Sequence, residues 1–211
     1  MNYLIYGAGG HAKVVADIIY ANGDYVIGVV DDSFRGDTWR GIPFYGHWDN
    51  VAKVVLEHPD AQWIIAIGNN QVRKTIVEKM NAFSVKWGKV LHPSTIISPS
   101  VQLGEGSVCM PGVIINADSI IGKHVILNTA TTVDHDNKIL DYVHLSPGVH
   151  TAGSVTINEL SHIGIGTNII PGITIGKQVI IGASACVVKD IPNDSLALGC
   201  PAKVIDNLSK G

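Results

Sequence analysis

The chain has 211 residues, 23 of them glycine, and carries 15 Lys and Arg against 18 Asp and Glu, a formal charge of −3. Basic residues this few and this scattered exclude the positive stripe of a nucleic-acid-binding protein, and no apolar run approaches the ~18 residues of a membrane-spanning helix. Aromatic residues make up 6% of the chain, and Tyr142 alone lies beyond Trp87, which predicts two bodies joined near residue 90, the second with a core of small and aliphatic side chains.

Asn2–Tyr6 is short and apolar and predicts a strand. No basic leader precedes it, so a cytoplasmic protein without a secretory signal is expected. The strand runs into Gly7-Ala8-Gly9-Gly10-His11-Ala12, after which Val14, Val15, Ile18 and Ile19 repeat at helical spacing up to Asn22-Gly23. A strand, a glycine turn and a helix start suit an anion, because the backbone can approach closely and unpaired N–H groups point at it. A second strand, Tyr25–Val30, ends in Asp31-Asp32, where an acid can hold a ribose hydroxyl. A third, residues 63–67, stops at Gly68-Asn69-Asn70 ahead of a helix over residues 71–81. Three strand ends thus converge on one edge of a parallel sheet, where α/β ligands bind. Residues 1–88 supply only one of the two halves that a dinucleotide needs, so they read as a Rossmann-like half domain for a mononucleotide or nucleotide-sugar.

Residues 91–192 carry a different period. Stepping by six from Leu91 through Ile97, Leu103, Cys109 and Ile115 to Val187 gives 17 positions, of which 15 are Leu, Ile or Val where composition alone gives about six. The fourth residue after each is usually small or β-branched (Thr95, Val101, Ser107, Val113, Ser119, Val125, Thr131), and Gly104, Gly122, Gly164, Gly176 and Gly182 directly follow the aliphatic. The frame has no insertion, which predicts a β-helix of hexapeptide units with the aliphatic side chains on the axis. Residues 193–211 are left as a C-terminal tail. The three cysteines, Cys109, Cys186 and Cys200, have no metal-type spacing and read as reduced thiols.

The hexapeptide pattern resembles the left-handed β-helix of acyltransferases, in which three units close a triangular coil and three chains form a trimer. The combination is more specific. Gly-Ala-Gly-Gly-His, then Asp31-Asp32, then Ile67-Gly68-Asn69-Asn70, then Leu127-Asn128-Thr129, Val143-His144-Leu145-Ser146, Ala152-Gly153 and a closing Gly199-Cys200-Pro201-Ala202-Lys203 resemble the nucleotide-sugar N-acetyltransferases. That group includes enzymes of bacillosamine synthesis, perosamine N-acetyltransferases and sialic acid O-acetyltransferase-like proteins.

The resemblance implies an acetyl-CoA-dependent N-acetyltransferase that needs no metal and acts on a nucleotide-linked, UDP-type 4-amino-dideoxy sugar. Its active sites would lie between the subunits of a homotrimer. By the same resemblance His135 is the general base and Asp136 its acid partner, with Asp134 the alternative neighbour. A histidine suits the task because it titrates near neutral pH, and a carboxylate fixes its tautomer. Gly9, Gly10, His11, Asp31, Asp32, Gly68 and Asn69 would hold the nucleotide-sugar. His144 would line the acetyl-CoA site, Gly153 would offer an N–H to the oxyanion, and Ile165 and Ala183 would flank the pantetheine. His162, 18 residues after His144, is assigned no role. Rival readings are O-acetylation of a sugar or sialic acid on the same scaffold, a zinc hydrolyase of carbonic-anhydrase type drawing on His135, His144, His150 and His162, and a non-catalytic prism.

Overall fold

Leu4, Ile5 and Tyr6 are all buried, as are Val29 and Val30 and Trp63 to Ile65. Such uninterrupted apolar runs suit strands covered on both faces, which is the environment of a parallel sheet. The strands concerned are β1 (Asn2–Tyr6), β2 (Tyr25–Val30) and β5 (Gln62–Ile65), with α1 (Gly10–Ala21) between the first two. A small hairpin, β3 (Thr38–Trp39) with β4 (Ile42–Pro43), and the helix α2 (Val51–Glu57) follow β2. Helix α3 (Asn70–Met80) and β6 (Lys86–Trp87) come after β5. The sheet order is β2-β1-β5-β6, with every pairing parallel. A computed structural model supplies this description, which covers residues 1–208 and divides at the Pro93–Ser94 junction into two compact units.

The second unit is a β-solenoid of two-residue strands. Each strand pairs in parallel with the one 18 residues further on, as in Ile114↔Thr132, Ile120↔Lys138 and Ile126↔His144, so three six-residue units make one coil. Three sheets result. The first carries Ile126–Leu127, His144–Leu145 and His162–Ile163, the second Thr132–Val133 and His150–Thr151, and the third Lys138–Ile139 and Thr156–Ile157. From Ile115 onward the periodic aliphatics are buried, and Ile115, Leu127, Val133, Leu145 and Ile163 are at most 1% exposed. Cys109 and Thr151 fill the same axial positions and are buried, and burial pushes the Cys109 thiol up to about 12.

Between strands the chain turns through a left-handed residue at every sixth position from Gly106 to Ser184, with φ from +53° to +75°. Several of these corners are not glycine, including Asp118, Asp136, Tyr142, Leu160 and Gln178. Tyr142, the isolated aromatic, occupies such a corner and stacks on His124, the ring planes 5° apart. The glycine after the aliphatic has another cause: a Cβ on Gly104 would fall 2.3 Å from the carbonyl oxygen of Gly122 in the next coil. The segment expected as a tail contributes two strands. Ser195–Leu198 pairs in parallel with Ile180–Ile181, and Lys203–Asn207 returns antiparallel along it.

Candidate active site

In the first unit the glycine turn sits at the C-terminal ends of β1 and β2. Its tight point is Gly7, which has φ +118° and whose Cβ would meet the Ala66 carbonyl oxygen at 2.8 Å. Gly9 and Gly10 have open space where a side chain would be, which leaves their backbone accessible. Gly9 is the N-cap of α1 and makes no side-chain cap bond. Ala8, Gly9, Asp31, Ser33 and Phe34 line a cavity of about 220 Å³.

Asp31 and Asp32 brace this cavity. One Asp31 oxygen accepts from the Ala8 N–H (2.8 Å) and the other from Ser33 and Phe34 (both 2.7 Å), which ties the glycine turn to the loop after β2. Asp32 accepts from the Tyr6 hydroxyl at 2.7 Å and the Trp48 N–H at 2.8 Å. Partial burial works against its charge, but these hydrogen bonds, with the nearby His47 and Lys79, together outweigh it and hold the carboxyl below its ordinary value.

Asn69 is the N-cap of α3, its side chain accepting from the Val72 N–H at 3.0 Å. The residue that sequence reasoning missed here is Arg73, 1% exposed. Its guanidinium donates to the carbonyls of Ile67 (2.9 Å) and Gly68 (3.3 Å) and to Asn70 Oδ1 (2.9 Å), so it fixes the Gly68-Asn69-Asn70 turn from beneath. Burial, with the Arg73 charge second, pushes His11 down to about 4, which leaves a neutral imidazole at neutral pH.

In the second unit, His135 follows the strand Thr132–Val133 at an exposed corner of the solenoid. Its Nδ1 lies 2.7 Å from Asp136 Oδ2, and both side chains are 58% exposed. The left-handed backbone of Asp136 (φ +58°) turns that carboxylate back on its neighbour. Asp134 does something else: its Oδ1 accepts from the His135 backbone N–H at 2.8 Å and from Asn116 Nδ2 at 2.9 Å. The hydrogen bond to Asp136 raises the His135 pKa above its ordinary value, partial desolvation opposes this, and the charges of Asp134 and Asp136 add to the rise. Gly153, one coil on, supports the ring, since a Cβ there would lie 2.5 Å from Cε1 and 2.6 Å from Nε2.

His144 is on a different part of the prism. It sits in the first sheet, 8% exposed, its ring 4.7 Å from that of His162. Asn128 Nδ2 lies 3.3 Å from His144 Nε2. An amide nitrogen can only donate, so in this contact Nε2 is the acceptor. His162, given no role from sequence, packs on His144 and approaches Ser146 Oγ at 3.0 Å. Ile165, 59% exposed, and Ala183 occupy one corner of successive coils, where the Ile165 carbonyl accepts from the Ser184 N–H at 2.7 Å. His135 and Gly153 therefore share one corner, Ile165 and Ala183 another, and His144 a face.

Among the described residues no three His, Cys, Asp or Glu side chains group as a metal site. His150, a histidine of the zinc reading, lies on the second sheet and contacts Thr132 Oγ1 at 2.8 Å. No helix of the described residues is long and apolar enough to cross a membrane.

Residues 2–80 match the family described as the PglD N-terminal domain. Over 114 residues the chain is 40% identical to the UDP-N-acetylbacillosamine N-acetyltransferase of Bacillus subtilis (strain 168), a match covering 52% of this chain and 51% of that enzyme. The chain thus spans about half the length of that curated relative. Solved structures match end to end. A perosamine N-acetyltransferase from Caulobacter crescentus, in a histidine-to-asparagine variant with CoA and GDP-perosamine, superposes with a TM-score of 0.93 at 38% identity, covering 98% of this chain and 97% of that one. The acetyltransferase domain of PglB from Neisseria gonorrhoeae FA1090, with acetyl coenzyme A, gives 0.88 at 36% identity, covering 97% and 98%.

Proposed function

Because the chain belongs to the family of hexapeptide-repeat N-acetyltransferases that open with a PglD N-terminal domain, we propose that it moves the acetyl group of acetyl-CoA to the amine of a nucleotide-linked 4-amino-dideoxy sugar. The observation that carries this reading is the exposed His135–Asp136 pair, 2.7 Å apart and backed by Gly153. The neutral imidazole takes a proton from the sugar amine as its nitrogen attacks the thioester carbon. A C–N bond forms, the oxyanion is met by backbone N–H groups near Gly153, and collapse breaks the C–S bond. The imidazolium then protonates the departing CoA thiolate, which returns His135 to its starting state. Asp136 stabilises the imidazolium and fixes the tautomer that presents Nε2 to the amine.

The first unit supplies nucleotide recognition through the Gly9-Gly10 turn, His11 and the loops that Asp31, Asp32 and Arg73 hold in place. We place the work in a homotrimer in the cytoplasm. His135 and His144 lie on different parts of one prism, so a site that uses both takes them from two copies. Ile96, Ile165 and Ile180, between 43% and 64% exposed, supply apolar surface for such packing.

The test is thiol release from acetyl-CoA in the presence of UDP-, GDP- and dTDP-linked 4-amino sugars, with free sialic acid as the O-acetylation arm. Turnover with at least one amino sugar is expected, and turnover with sialic acid alone would replace this reading.

The pH profile tests the pairing. Asp136 raises the His135 pKa, and the imidazole is a base only when neutral, so kcat/KM falls as pH drops through a value above the ordinary ~6.5. In Asp136→Asn that acid limb moves to lower pH, while the plateau drops roughly 10- to 100-fold because the ring is no longer oriented. An unmoved limb would show that Asp136 does not set the base.

A further inference from the structure

Asn137 lies two residues after His135 at the corner position that precedes each strand, and it is fully buried. Within the six-residue frame the buried hydroxyl residues at this position are Ser107, Ser119, Thr131, Ser161 and Thr167, and they share one interaction. Each hydroxyl donates to a backbone carbonyl 15 residues on: Gly122, Asp134, Ser146, Gly176 and Gly182, at 2.7 to 3.3 Å. Asn137 makes the same bond, from Nδ2 to the Ala152 carbonyl at 2.9 Å. Its longer carboxamide then turns its second N–H on its own turn, shared between the carbonyls of Asp134 (2.7 Å) and His135 (3.1 Å), a contact that none of these five hydroxyls makes. Its Oδ1 is buried without a hydrogen-bond partner among the described residues. A hydroxyl would meet the needs of the coil without stranding an acceptor, so the extra bonds call for a reason beyond folding.

We propose that Asn137 is a positioning residue for the reaction, which clamps the backbone of the Asp134–Asp136 turn so that His135 keeps its contact with Asp136 and its place on Gly153. The clamp works from beneath, with Ser119 opposite it: the Ser119 hydroxyl donates to the Asp134 carbonyl at 2.7 Å and accepts from the Asn137 N–H at 3.2 Å. This rests on the reading of His135 as the base.

The deciding variant is Asn137→Ser, with Asn137→Thr as its partner, since both keep the bond to the next coil that serves at positions 119 and 131. Assayed by thiol release with acetyl-CoA and a nucleotide-linked amino sugar, kcat should fall about 10- to 30-fold, because small misplacements of a base are costly. Both KM values should stay within about two-fold, the melting temperature should be unchanged, and the acid limb should shift down in the sense of Asp136→Asn. Wild-type kcat in a folded variant overturns the clamp. So does a loss of folding in both variants, which would make the carboxamide a requirement of the solenoid. His135→Ala in the same panel separates the two claims: an active His135→Ala removes the base itself, whereas an inactive one beside a fully active Asn137→Ser removes only the clamp.

Discussion

His135→Ala should lower kcat by about 10²- to 10⁴-fold, the usual share of a positioned general base, while both KM values change little. The prediction follows from what the side chain touches. One ring nitrogen is taken by Asp136 at 2.7 Å, the ring rests on Gly153, and the side chain is 58% exposed. An exposed imidazole with one nitrogen oriented by a carboxylate has its other nitrogen available to a substrate, and it contributes little to packing. The melting temperature should therefore stay within about 2 °C of wild type, as for a surface substitution. Steady-state thiol release over a range of both substrates, with a thermal melt of the same sample, measures this. Undiminished kcat would end the assignment of His135. Loss of activity together with loss of folding would reassign it to structure.

The solenoid was legible because its cause is strictly periodic. An aliphatic side chain on the axis every six residues leaves each strand one register, and the 18-residue pairing Ile126↔His144 follows from it. The corners were less so. Leu160, Gln178 and Tyr142 all adopt φ near +60°, a conformation that composition assigns to glycine or asparagine and that here the coil imposes. The same effect separated Asp134 from Asp136. Both flank His135 in sequence, and only the left-handed backbone at Asp136 shows which carboxylate meets the ring. In the first unit the motif drew attention to Gly9 and Gly10, whereas the steric demand falls on Gly7. Arg73 was invisible for a general reason: a charged residue on a helix reads as solvated surface, and its partners, the carbonyls of Ile67 and Gly68, carry no side-chain signal. Asn137 was hidden likewise, since asparagine beside a turn has an ordinary local explanation.

Gly153→Ala is the second large effect, and it isolates geometry from chemistry because no reacting group is removed. An added methyl would lie 2.5 to 2.6 Å from Cε1 and Nε2 of His135, well inside van der Waals contact. The clash is with the end of an exposed side chain, so the ring can swing out at little cost to the fold, and Gly153 needs no left-handed backbone. The displaced imidazole then misses the amine by about 1 Å or more, which is worth roughly 100-fold in kcat. Gly104→Ala supplies the contrast. There the methyl meets the Gly122 carbonyl oxygen at 2.3 Å, backbone that cannot swing aside, so that substitution should lower stability by about 1–3 kcal/mol and leave kcat per folded molecule alone. A Gly153→Ala enzyme that melts like wild type and turns over about 100-fold more slowly ties the rate to where the imidazole sits. One that keeps full kcat would mean that His135 works from a position clear of Gly153, and the oxyanion assignment at that residue would fall with it.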